Sequence, residues 1–142
     1  MYGLKTQADF DSAHFLTEYD GKCENLHGHR WHVEVYLRAG ELQTSGEEKD
    51  MVIDFTQFKR MVRALALEFD HVFLVEEGSL APATIEALEW EGFRLKMLPF
   101  RTTSENLAKC FYDRLTAEGL PVSRVDMYET PNNCAIYLGE EA

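Results

Sequence analysis

Two stretches of strict alternation set the terms for this chain. From Leu4 to His14, the residues Leu4, Ala8, Phe10 and His14 share one parity, while Lys5, Gln7, Asp9 and Asp11 hold the other. From His27 to Arg38, Trp31, Val33, Val35 and Leu37 alternate with His32, Glu34, Tyr36 and Arg38. A period of two belongs to a strand with one face in a core and one in water. Two long, half-buried strands are therefore expected. His27 and His29 carry the apolar parity of their strand, so both imidazoles point the same way.

Helical spacing takes over further on. Asp54 suits an N-cap with Gln57 three residues later, and Phe55, Phe58, Val62, Leu65 and Phe69 recur at the helical period. Asp70-His71 stands at the end of that helix. A shorter helix is predicted over 82–91, with Pro82 at its start and Gly92 after it, followed by a strand over 93–98. Thr102-Thr103-Ser104-Glu105 has the form of a capping box, opening a helix that carries Leu107, Phe111 and Leu115 and stops at Gly119. Val125, Met127 and Glu129 share one strand face. A turn at 130–133 leads to a last strand with Cys134, Ile136 and Leu138. Strands joined partly by hairpins, with helices between them, indicate an α+β fold with an antiparallel sheet. Residues 39–49 read as a surface loop, and no linker or repeat divides the chain, so 1–142 is expected to be a single domain.

The formal net charge of −11 argues against DNA or RNA as a partner, since phosphate binders cluster Lys and Arg. It also means that a phosphorylated ligand would need a local patch of opposite sign. No apolar run approaches the roughly 20 residues of a membrane span. Met1 to Lys5 lacks a signal-peptide pattern, and Cys23, Cys110 and Cys134 form no C-x-x-C pair, so a reducing, cytoplasmic setting is expected.

Several residues can carry chemistry. His27-Gly28-His29 offers two imidazoles on one strand face, and His14 could add a third from the neighbouring strand. Three protein ligands around zinc would leave one position open, the catalytic arrangement. Polar strand ends bonded to backbone would have the same spacing. Cys23 is either a small buried hydrophobe or a thiol activated by polar neighbours. Asp70-His71 reads as a carboxylate orienting an imidazole for proton transfer, or as a helix terminus with a favourable histidine. Glu129 continues an apolar face, where an ionised carboxylate needs donors; a flat heterocycle with adjacent N–H groups would supply them, as would solvent at a strand end. Thr102 and Thr103 offer hydroxyls, which helix capping alone also explains. Cys110 and Cys134 lie beside apolar faces, and His32 lies on the polar face.

Taken in order, Ala13-His14, Cys23-Glu24-Asn25-Leu26-His27-Gly28-His29, Ile53-Asp54-Phe55, Asp70-His71, Thr103-Ser104-Glu105-Asn106-Leu107-Ala108 and Glu129-Thr130 span nearly the whole chain. This set resembles the 6-pyruvoyl-tetrahydropterin synthase / 6-carboxy-tetrahydropterin synthase family. The resemblance implies a T-fold subunit with helices packed on one face of its sheet, assembled as a homohexamer of two stacked trimers. It implies that His14, His27 and His29 hold Zn2+ and that Cys23 is the proton-abstracting base. Asp70 and His71 would form the partner dyad, contributed by an adjacent subunit. Glu129 would anchor the pterin ring, with Thr102, Thr103 and Glu105 lining its pocket. The implied reaction converts 7,8-dihydroneopterin triphosphate to 6-carboxytetrahydropterin for 7-deazaguanine and queuosine synthesis. A 6-pyruvoyl product is the alternative, as is a 6-hydroxymethyl product for folate, to which Glu24 beside Cys23 would point. A metal- or pterin-binding protein without turnover is the non-enzyme alternative. The stretch 76–100 is longer than in compact members, and Lys22, Arg30 and Arg101 are the cations nearest the motifs.

Overall fold

The computed structural model describes residues 1–140. Strands β1 (Tyr2–His14) and β2 (His27–Ala39) pair antiparallel along all 13 residues of each. The alternation becomes burial: Phe10, Trp31, Val33, Val35 and Leu37 are at most 1% exposed, while Lys5, Asp9 and Arg30 face outward. Helix α1 (Phe55–Glu68) follows, then β3 (Val72–Glu76), α2 (Pro82–Trp90), β4 (Leu95–Leu98), α3 (Ser104–Ala117), β5 (Val122–Thr130) and β6 (Asn133–Leu138). The six strands form one sheet in the order β4-β3-β1-β2-β5-β6.

The expected antiparallel sheet is present as β1-β2-β5-β6. It is extended on one edge by two parallel pairings, β1 with β3 and β3 with β4. Strand β3 has no counterpart in the alternation because Val72-Phe73-Leu74-Val75 is a continuous apolar run, the pattern of a strand covered on both faces. Its pairing with β1 covers only Ser12 and Ala13.

Helices α1 and α3 pack on one face of the sheet, against β1 and against β5 and β6. Asp54 caps α1, its carboxylate accepting from Thr56 N at 2.6 Å. The buried stripe of α1 is Phe58, Val62, Leu65 and Ala66. Phe55, expected in that stripe, is 64% exposed: it is the first residue of the helix and borders an open pocket beside Tyr2, Gly3 and Leu4. At the centre, Phe10 stacks on Trp31 and Phe111 with ring centroids 6.0 and 5.8 Å apart, and Phe69 closes the cluster. Helix α2 lines a cavity together with Val72 and Phe73 of β3 and buries no side chain fully.

Phe111→Ala removes the aromatic ring that joins α3 to this cluster and is expected to cost about 3–5 kcal/mol in urea denaturation. Phe55→Ala is expected to stay within about 0.5 kcal/mol of the parent.

Candidate metal centre

The register of β1 and β2 sets His14 opposite His27, and Ser12 opposite His29. All three imidazoles lie on the face that buries Phe10 and Trp31. Glu129, near the end of β5, reaches the same point, so that one ligand atom from each of these four residues lies within 4.8 Å of the others. Glu129 Oε1 is 2.6 Å from His29 Nε2 and 3.5 Å from His14 Nε2. Trp31 walls the cluster, its ring centroid 5.2 Å from that of His14 and 5.4 Å from that of His29, with the planes near perpendicular.

Tautomers follow from the partners. His14 Nδ1 lies 2.9 Å from the Thr102 carbonyl oxygen, and His27 Nδ1 lies 2.7 Å from that of Asn25. A carbonyl only accepts, so both Nδ1 atoms carry hydrogen and both Nε2 atoms keep their lone pairs. The Nε2 atoms of His14, His27 and His29 are buried, and none makes an aligned hydrogen bond. Burial first, then the neighbouring His14 and His27, hold the His29 imidazole below its ordinary pKa against the opposing pull of Glu129. Glu129 is likewise held below the usual carboxylate range, chiefly by its contact with His14. His14 and His27 thus turn their Nε2 lone pairs inward, beside the His29 imidazole and the Glu129 carboxylate. The three imidazoles fit a zinc ion, with Thr102 and Asn25 supplying the outer contacts that fix the orientation of His14 and His27.

The other expected residues divide. Thr102 is 1% exposed, and its hydroxyl lies 3.2 Å from His14 Nδ1. The cap of α3 is Thr103, which accepts from Asn106 N. The expected box thus shifts by one residue, and Glu105 lies exposed in the first helical turn. Ser104, given no role by sequence reasoning, places its hydroxyl 3.4 Å from Glu129 Oε2; its position after two threonines that each suit a cap masked it. Cys23 is half-buried in a 3-10 turn over Lys22–Glu24, tied to the end of β1 by Leu16 N donating to its carbonyl. Among the described residues, its sulfur joins no cluster of ligand atoms. His32 is held between Asp9 and Glu34 on the polar face, and Cys110 is a partly buried thiol pushed up by burial.

Asp70 and His71 form a pair apart from the metal cluster. Asp70 Oδ2 lies 2.8 Å from His71 Nδ1, and Asp70 Oδ1 accepts from Asp11 N. His71 N donates to Asp11 O, holding a backbone φ of 54°, which non-glycine residues adopt reluctantly. The His71 side chain is 76% exposed. It borders a cavity of about 1040 Å³ that also touches Phe15, Gly28, Arg30 and the 80–94 segment.

A six-stranded sheet with its helices on one face and a three-histidine cluster at one end of its central pair is the class of fold and site: an α+β subunit with a candidate metal centre. The family model described as 6-pyruvoyl tetrahydropterin synthase matches residues 3–140, and the chain belongs to that family. It is 36% identical over 140 residues to a 6-carboxy-5,6,7,8-tetrahydropterin synthase of Haemophilus influenzae, covering 96% of this chain and 99% of that one. A protein of the same description from Aquifex aeolicus is 36% identical over 130 residues, covering 84% and 77% of the two chains. The solved 6-pyruvoyl tetrahydropterin synthase of Caenorhabditis elegans superposes with a TM-score of 0.69 at 26% identity, covering 98% and 96%.

Purified protein is expected to carry about one zinc per chain by elemental analysis, and His27→Ala to lose most of it. Full occupancy in that variant would remove His27 from the ligand set. Asp70 is held below its ordinary pKa, first by the Asp11 N–H and then by His71. Its stabilising contribution is therefore complete above the unfolded value near ~3.9 and is lost as pH falls through the lower folded value. Asp70→Asn should be less stable than the parent at neutral pH, with the gap narrowing below about pH 4 in thermal melts.

Proposed function

We propose that this protein converts 7,8-dihydroneopterin triphosphate and one water to 6-carboxy-5,6,7,8-tetrahydropterin, acetaldehyde and triphosphate, serving 7-deazaguanine and queuosine synthesis in the cytoplasm. The observation that carries the reading is the convergence of His14, His27, His29 and Glu129, in a chain that matches 6-carboxy-5,6,7,8-tetrahydropterin synthases along nearly its full length.

The three imidazoles would hold zinc, which when bound supplies Lewis-acid polarisation of the substrate's side-chain hydroxyls. Glu129 accepts from adjacent N–H groups of the pterin ring and fixes its plane, with Ser104 steadying the second carboxylate oxygen. Thr102 holds His14, and Thr103 and Glu105, at the start of α3, are assigned to the lining of the pterin pocket. Cys23 removes a proton from the substrate side chain as its thiolate. The His71 imidazole, oriented by Asp70, returns a proton elsewhere on the substrate.

The dyad and the metal cluster are separate in one chain, so a complete site calls for a second copy that brings His71 to another chain's zinc. A homohexamer supplies such contacts. Two strand edges favour it. Among the described residues, β1 before Ser12 has no partner on its outer side, and β6 has none on its own. Such edges pair readily with another chain.

Incubation with dihydroneopterin triphosphate and mass identification of the pterin tests the reading. A 6-carboxy product is expected, whereas a 6-pyruvoyl or 6-hydroxymethyl product would replace it. Cys23→Ala is expected to keep zinc and to lose at least about 100-fold in turnover, the scale of a proton-transfer group. Retained turnover would remove Cys23 as the base.

A further inference from the structure

Asp11, Ala13 and Arg30 carry the strand parity opposite to Phe10 and Trp31, so their side chains leave the sheet away from the core. They floor the 1040 Å³ cavity, and Phe15 and Phe73 continue it, packed 6.0 Å apart. Its far wall is the long 76–100 segment: Leu80, Leu88, Phe93 and Arg94. This explains an oddity of α2, which buries nothing in the core yet turns Leu88 inward. A ligand pocket commonly measures roughly 300–1,000 Å³, so this space exceeds what a pterin ring alone would need.

The charges in the cavity are unequal in availability. Arg30 lies 3.2 Å from Asp11 and 3.8 Å from Asp9, so its charge is already met. Among the described residues, the Arg94 guanidinium has neither hydrogen bond nor ion pair. Glu24 contributes the other carboxylate of the lining. On a chain of net charge −11, an anion is repelled overall and is retained only by a local, unengaged cation. A guanidinium suits phosphate oxygens through paired N–H donors.

We infer that this cavity receives the polyphosphate end of the substrate, and that Arg94 is the residue that binds it and selects for a phosphorylated side chain. The inference rests on the reading of a triphosphorylated substrate given above. The phosphates lie along the 80–94 wall, close to His71, so the substrate's reacting side chain is drawn toward the dyad.

The test measures binding of inorganic triphosphate to the zinc-loaded assembly by calorimetry, for the parent, Arg94→Ala, Arg94→Lys and Glu24→Gln. Arg94→Ala should weaken binding by about tenfold or more, Arg94→Lys by less, and Glu24→Gln should tighten it. Any direct contact of triphosphate with zinc is common to the parent and the Arg94 variants and cancels in their comparison. With dihydroneopterin triphosphate, Arg94→Ala should raise KM by a similar factor and change kcat less. Equal triphosphate affinity in the parent and Arg94→Ala overturns the inference. So does a fall in assembly mass at unchanged affinity, which would mean that a second copy fills the cavity. Calorimetry needs no turnover, so a protein inert toward the pterin would sink the proposed reaction without deciding the role of Arg94.

Discussion

The register of β1 against β2 places His14 opposite His27, and the candidate metal centre depends on it. The same ladder sets Phe10 opposite Trp31, the pair at the heart of the aromatic cluster. A slip of one residue would turn both His14 and Phe10 toward water, because side chains alternate along a strand. The energy that buries the core therefore also fixes the direction of the imidazoles. Trp31 joins the two roles, stacking on Phe10 while meeting His14 and His29 in near-perpendicular contacts.

Register alone gives direction; the outer contacts give tautomer. The Thr102 carbonyl that holds His14 belongs to a short segment secured from both sides. Asn106 donates to the Arg101 carbonyl, and the Arg101 guanidinium donates to the Thr17 carbonyl just beyond β1. The cap at Thr103 sets where α3 begins and so how Thr102 is presented. A helix start distant in sequence thereby decides which nitrogen of His14 is free. The Asn25 carbonyl does the same for His27 over only two residues.

The parts legible in the sequence are those with a local period. Alternation gave β1 and β2 and the shared face of His27 and His29, and Glu129 extended the face of Val125 and Met127 as expected. Features set by distant contacts were hidden. Val72–Val75 reads as a plain apolar run because a strand covered on both faces loses its alternation. Three adjacent hydroxyl residues, Thr102 to Ser104, could each have been the cap. Only the structure separates the one that caps from the one beside His14 and the one beside Glu129. The left-handed backbone of His71 had no signature either, since a β1 carbonyl 60 positions earlier holds it in place.

That hold bears on why His71 is built as it is. Its backbone sits in an unfavourable region and its carboxylate partner is clamped by Asp11, yet 76% of the side chain faces solvent. Fixing an imidazole so firmly gains little for one isolated chain. It gains more if a second copy brings a metal-bound substrate to it. Assembly of such chains works against like charge, −11 on every copy. In such an assembly the attraction would come from backbone pairing along the edges of β1 and β6 that are open among the described residues, and from apolar groups such as Ile136 and Leu138, which are 52% and 66% exposed. Salt screens the repulsion and leaves those terms in place, so association driven this way strengthens as ionic strength rises.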